Sequence, residues 1–124
     1  MSPLELLGVA LAGGLGAVVR FLAGALAGDR PVRATIAVNI VASLIAGFCS
    51  SLLPLDATWQ AILVTGFCGG LSTYSAFATQ AVEQLERRRG GHAFATLAVT
   101  LVGGAIAASL GILLGALLVP AVAA

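Results

Sequence analysis

Two uncharged stretches of this 124-residue chain carry polar groups at spacings that can hold an ion. The first is Thr65-Gly66-Phe67-Cys68-Gly69-Gly70-Leu71-Ser72-Thr73-Tyr74-Ser75-Ala76-Phe77, where an adjacent glycine pair precedes a cluster of hydroxyls and aromatic rings. Paired glycines weaken a helix and free backbone carbonyls, and non-helical backbone at membrane depth is tolerated only where protein buries it or it lines a watery path. Freed carbonyls suit a small hard cation, whereas hydroxyls, amides and the electropositive edges of aromatic rings suit an anion. A broken helix serving both is expected; a glycine-rich packing kink without an ion is the competing reading. The second stretch is Thr35, Asn39, Ser43, Gly47 and Ser51, whose four-residue spacing puts a polar stripe on one helical face. A polar stripe needs a wet or hydrogen-bonded neighbour. A mid-span amide such as Asn39 is costly in hydrocarbon unless it meets a partner or a cavity, so an interhelical hydrogen bond and an ion path both account for it. Arg20 is a third feature, a full charge inside an apolar stretch. It either snorkels to the interface or draws anions into a vestibule.

Nothing else in the chain is arranged for chemistry. No nucleophile has a base beside it and no acid or base is placed for proton transfer, so no enzymatic activity is expected. Cys49 and Cys68 lie in apolar stretches without metal-ligand or redox spacing and read as small apolar fillers.

The elements that must position these residues follow from composition and charge placement. The chain is 60% hydrophobic and 9% charged, about a third of the charge of a soluble domain. The long gaps between charges define four spans, at about 4–27, 34–53, 58–82 and 93–119, each near the ~20 residues that cross a bilayer. They form one all-α membrane domain over residues 1–124. Ser2, Pro3 and Glu5 read as a helix start with Ser2 as N-cap and Glu5 completing a capping box, and with no basic residue nearby they argue against a cleaved secretory signal. Pro54 closes the second span, Trp59 is placed to anchor the third at the interface, and residues 87–91 form the last turn. Gly8, Ala12 and Gly16 in the first span, and Gly103, Ala107, Gly111 and Gly115 in the last, repeat every four residues as helix-packing seams.

All six basic residues are arginines, the net charge is +1, and no basic run is long enough for nucleic acid, which is excluded as a partner. Arg30 and Arg33 fall in the first loop and Arg87, Arg88 and Arg89 in the third, with none in the second loop or at the termini. The positive-inside rule then puts the first and third loops in the cytoplasm and both termini outside.

In these motifs the chain resembles the CrcB (Fluc) family of fluoride channels, small four-span bacterial membrane proteins that work as antiparallel dimers. The resemblance is carried by Gly13-Gly14-Leu15-Gly16-Ala17-Val18-Val19-Arg20, by Thr35-Ile36-Ala37-Val38-Asn39 and above all by Thr65 through Phe77. It implies an antiparallel dimer with a broken third helix, passing fluoride passively out through the bacterial inner membrane. It also implies a central sodium ion, structural rather than transported, held by backbone carbonyls that fall here on Gly69 and Ser72. The family's pore phenylalanines fall on Tyr74 and Phe77, its pore amide on Asn39 and its vestibule arginine on Arg20. Thr35 and Ser75 add donors to the path, and Thr96 and Thr100 lie where the family tends to place polar pore residues. The Tyr at position 74 keeps the electropositive ring edge and adds a hydroxyl. The second subunit is either an oppositely oriented homologue, which the arginine bias favours, or a second copy of this chain.

Two other classes compete. A small multidrug-resistance-type antiporter has similar length and span number but needs a carboxylate deep in the membrane, and Glu5 lies only at the start of a span. A non-conducting assembly subunit explains the glycines but not Asn39 together with the hydroxyl-rich third span.

Overall fold

The computed structural model describes residues 2–52 and 56–123, with side chains up to 118. Regular structure among these residues is entirely helical, and four helices are long and apolar enough to cross a membrane. Helix α1 is Pro3–Ala27 and α2 is Pro31–Ser50. The third membrane-length stretch, Ala57–Glu86, contains α3 (Ala57–Gln60), a π-helical segment (Ala61–Cys68), α4 (Gly69–Leu71) and α5 (Tyr74–Glu86). Helix α6 is Gly90–Ala123.

Local chemistry explains most boundaries. The Ser2 hydroxyl accepts from the Glu5 N–H at 3.2 Å while the Ser2 N–H donates to Glu5 Oε2 at 3.0 Å, so the expected capping box is present, with Pro3 opening α1. Helix α2 starts at Pro31, ahead of the charge-free stretch, because the proline ring presets the first helical turn; Arg33 consequently lies inside the helix. Pro54 and Leu53, expected to end the second span, lie outside the described residues. Asp56 caps α3 by accepting from the Trp59 N–H at 3.0 Å. The last turn is shorter than expected, since Gly90 and Gly91 already belong to α6. Chain reversal falls instead on Arg88, at φ 57°. Its N–H donates to the Leu85 carbonyl and the Arg89 N–H to the Gln84 carbonyl, a Schellman closure in which an arginine takes the usual glycine place.

Packing is organised by the two small-residue seams. Helix α1 lies along the third stretch: Gly8 meets Ile62, Ala12 meets Gly66, and Gly16 fits against Phe67 and Leu71 so closely that an added Cβ would strike the Phe67 carbonyl oxygen. Helix α6 lies along α2 in the same way, with Gly103 on Ile40 and Gly111 on Leu44 and Phe48. Where α2 crosses the third stretch, Val38, Ala42, Cys68 and Leu71 form the buried cluster. Cys49 and Cys68 are free and buried. Outward faces carry exposed leucines, valines and phenylalanines, as suits lipid contact.

The glycine pair also turns out to serve packing. Gly69 and Gly70 stay helical, and Gly70 lies against the Gly13 backbone with no room for a Cβ. Helical backbone stops two residues later, at Ser72 (φ −78°, ψ 157°) and Thr73 (φ −148°, ψ 121°), both extended.

Candidate functional site

Extended backbone in a membrane-length helix leaves peptide groups short of partners, and each must be satisfied within the protein. At Thr73 the partner comes from α2. The Thr73 N–H donates to Asn39 Oδ1 at 2.8 Å, and Asn39 Nδ2 donates to the Thr73 carbonyl at 3.2 Å. One amide side chain thus closes both backbone groups of a residue 34 positions away. Thr73 is 8% exposed. Its own hydroxyl accepts from the Ala76 N–H at 3.2 Å, capping α5, and lies 3.4 Å from the Ser75 hydroxyl.

These bonds redirect two donors. In an unbroken helix the Gly69 carbonyl would accept from the Thr73 N–H and the Ser72 carbonyl from the Ala76 N–H, by the four-residue rule. Those N–H groups are given instead to Asn39 Oδ1 and Thr73 Oγ1. Both carbonyls therefore lose their helical donors, and Gly69 and Ser72 line one cavity of about 250 Å³ together with Ser43 and Cys68.

A second cavity, of about 260 Å³, is lined by Arg20, Thr35, Thr73, Ser75 and Gln80 among others. It gathers three residues singled out in the sequence, Arg20, Thr35 and Ser75, around the threonine that Asn39 holds. The hydroxyls of the α2 stripe also find acceptors within their own helix, although Thr35 and Ser43 each line a cavity. Thr35 donates to the Pro31 carbonyl (3.1 Å), Ser43 to the Asn39 carbonyl (2.9 Å) and Ser51 to the Phe48 carbonyl (3.0 Å), so these hydroxyls are satisfied on α2 itself. Only rotation off Pro31 would free the Thr35 proton for an anion.

The remaining candidates sit elsewhere. Tyr74 and Phe77 pair with ring centroids 6.4 Å apart and planes tilted by 53°. Tyr74 is 82% exposed and lines neither of these two cavities. Thr96 Oγ1 lies 2.9 Å from the His92 carbonyl and 3.1 Å from Gln84 Oε1, in a separate cavity near the first and third loops. Thr100 Oγ1 is buried with no hydrogen-bond partner among the described residues.

Two site residues were not singled out from sequence. Thr73 carried a usable signal, a threonine directly ahead of an apolar helix, which is a capping position. Gln80 lies seven residues beyond it and hence on the same helical face; its side-chain oxygen is buried and unpartnered among the described residues.

A family model described as CrcB-like protein, Camphor Resistance (CrcB), matches residues 7–112. A Leifsonia xyli subsp. xyli protein named fluoride-specific ion channel FluC 1 is 40% identical over 126 residues, covering 96% of this chain and 92% of its own length. A Rhodococcus jostii protein named fluoride-specific ion channel FluC 2 is 42% identical over 106 residues, with 83% and 91% covered. A Serratia proteamaculans protein named fluoride-specific ion channel FluC is 35% identical over 119 residues, with 89% and 92% covered.

Proposed function

This chain belongs to the CrcB family, and we propose that it forms a fluoride-specific channel that lowers cytoplasmic fluoride by passive export. The observation that carries this reading is the cavity where Arg20, Thr35, Thr73 and Ser75 meet beside the Asn39 amide. A guanidinium raises the local concentration of anions, and hydroxyl and amide donors replace the shell of a small, strongly hydrated one. The larger chloride is excluded by size. Where a second subunit meets this one, Tyr74 and Phe77 would add electropositive ring edges to the path, and Thr100 would extend its polar lining on α6; Thr96, tied to Gln84 and the His92 carbonyl in a separate cavity, is left out of the path.

The Gly69 and Ser72 carbonyls fit a structural sodium ion, since both lack helical donors and share a cavity. Such an ion would supply fixed positive charge at the broken third helix. Two carbonyls are too few for the shell of a hard cation, so a second, antiparallel subunit completes the set. On this reading the protein sits in a bacterial inner membrane, and the arginines at and beside the first and third loops, five against none on the other side, favour both termini outside. That bias favours an oppositely oriented homologue as the partner over a second copy. With the chain expressed alone, terminal tags should label only from outside the cell; substantial labelling of both termini from the cytoplasm would overturn the fixed orientation.

Fluoride efflux from liposomes containing the purified chain, with and without a candidate partner, in sodium and sodium-free buffer, tests the channel itself. Flux that weakens without sodium is the expected result, and no flux under any condition would sink the assignment. Phe77→Ile removes the ring edge while keeping an apolar side chain, and should lower flux by about tenfold. Intact conduction in that variant would mean the ring lies off the path.

A further inference from the structure

The cavity near the first and third loops is a different one from that where Arg20, Thr73 and Ser75 meet, and its chemistry is different. It measures about 360 Å³ and is lined by Asp29, Arg30, Arg33, Gln84, His92 and Thr96 together with apolar side chains. Two arginines and a histidine, from the first loop and the starts of α2 and α6, thus line one space together with a single acidic residue. Arg30 is the N-cap of α2 and makes no side-chain hydrogen bond to the first turn, so the positive end of the helix adds to the arginine charge there. The floor is polar and already organised: Thr96 is 5% exposed and tied to Gln84 and the His92 carbonyl. The position matters as much as the charge. The cavity lies where two membrane-length helices, α2 and α6, begin, at the height of lipid headgroups.

We propose that this cavity is a phosphate-binding site, taking the phosphate of an anionic lipid headgroup or the same group free in solution. Arginine is suited to the task because its planar fork bonds two phosphate oxygens at once. Apolar lining from Val32, Ile36 and Val99 gives the first carbons of an attached lipid a surface to follow. The site binds phosphate through Arg30 and Arg33, with His92 as a further donor and Asp29 as the one opposing charge.

The test uses the full chain purified in mild detergent, with native mass spectrometry counting retained phosphatidylglycerol or phosphatidylcholine. Parent protein should retain phosphatidylglycerol in preference, and Arg30→Gln with Arg33→Gln should weaken that retention by about thirtyfold or more, from the loss of charge-assisted hydrogen bonds to one phosphate. Phosphatidylcholine retention should not change. Replacing Arg87, Arg88 and Arg89 by Gln removes more charge from the same end but none from the cavity, and should leave retention within about twofold. Equal loss in both sets of variants, or no loss in the cavity set, would overturn the site. Arg30→Gln and Arg33→Gln singly give the same reading if the double variant is not recovered folded. Inorganic phosphate at millimolar concentration is the second arm: displacement of the lipid assigns the site to phosphate as such, and failure to displace assigns it to the headgroup with its chain.

Discussion

Asn39→Ala is expected to produce the largest loss of any single substitution in the site, removing fluoride flux and lowering the unfolding midpoint together. The amide closes both the N–H and the carbonyl of Thr73. Alanine leaves those two groups without partners in a buried position, at about 1–3 kcal/mol each, against a total stability of about 5–15 kcal/mol. Asn39→Asp separates the two bonds. A carboxylate can still accept from the Thr73 N–H but offers nothing to its carbonyl, and adds charge beside Arg20's cavity, so an intermediate midpoint with strongly reduced flux is expected. Thr73→Val keeps both backbone bonds and loses the cap on Ala76, for about 1 kcal/mol, together with the long contact to the Ser75 hydroxyl. Liposome flux and thermal denaturation in detergent, read side by side, check the order. A parent-like midpoint in Asn39→Ala would mean that the extended backbone at Ser72 and Thr73 is held by something other than this amide.

Gly16→Ala is the second large effect, and Gly14→Ala is its control. A Cβ at Gly16 would strike the Phe67 carbonyl oxygen and stand 2.8 Å from the Leu71 nitrogen. Backbone cannot rotate out of the way, so α1 must move off the third stretch, at about 1–3 kcal/mol or more. Helix association in lipid has little hydrophobic drive to compensate, because close packing is itself the attraction. Gly14, two residues away, has nothing within 4 Å of where its Cβ would lie. There alanine should be neutral or stabilising by up to about 1 kcal/mol, from helix propensity. Recovery of folded protein and its unfolding midpoint decide between the two. If both variants behaved alike, the seam on α1 would not be what seats the third stretch.

Much of this architecture was legible from the chain because lipid imposes local rules. A stretch without charge must be helical to satisfy its own backbone, so charge placement marks the membrane helices, and seams at four-residue spacing mark their packing faces. The capping box at Ser2 was legible for the same reason: its partners lie three residues apart. What the glycine pair does was not legible in this way. Gly69 and Gly70 invite a break by propensity, yet Gly70 is held helical by close contact with Gly13 of α1, and the extended residues come two positions later. Tertiary packing overrides a weak local preference.

The hydroxyls of the α2 stripe show the opposite limit. Their period is plain in the sequence, but whether a hydroxyl faces a cavity or folds back on its own helix depends on one side-chain rotation. Thr35 both lines the cavity and bonds the Pro31 carbonyl, and period alone says neither.

By itself, then, the sequence determined that this is a helical membrane protein with four spans, with small-residue seams, a mid-span amide and a lone arginine. Only the tertiary structure decided which seam meets which helix, and that Asn39 spends both of its amide groups on Thr73. The reason is physical. Periodicity records which residues share a face, whereas hydrogen bonds between residues 34 positions apart depend on how two helices cross, and that crossing is set by side-chain fit along the whole length of both.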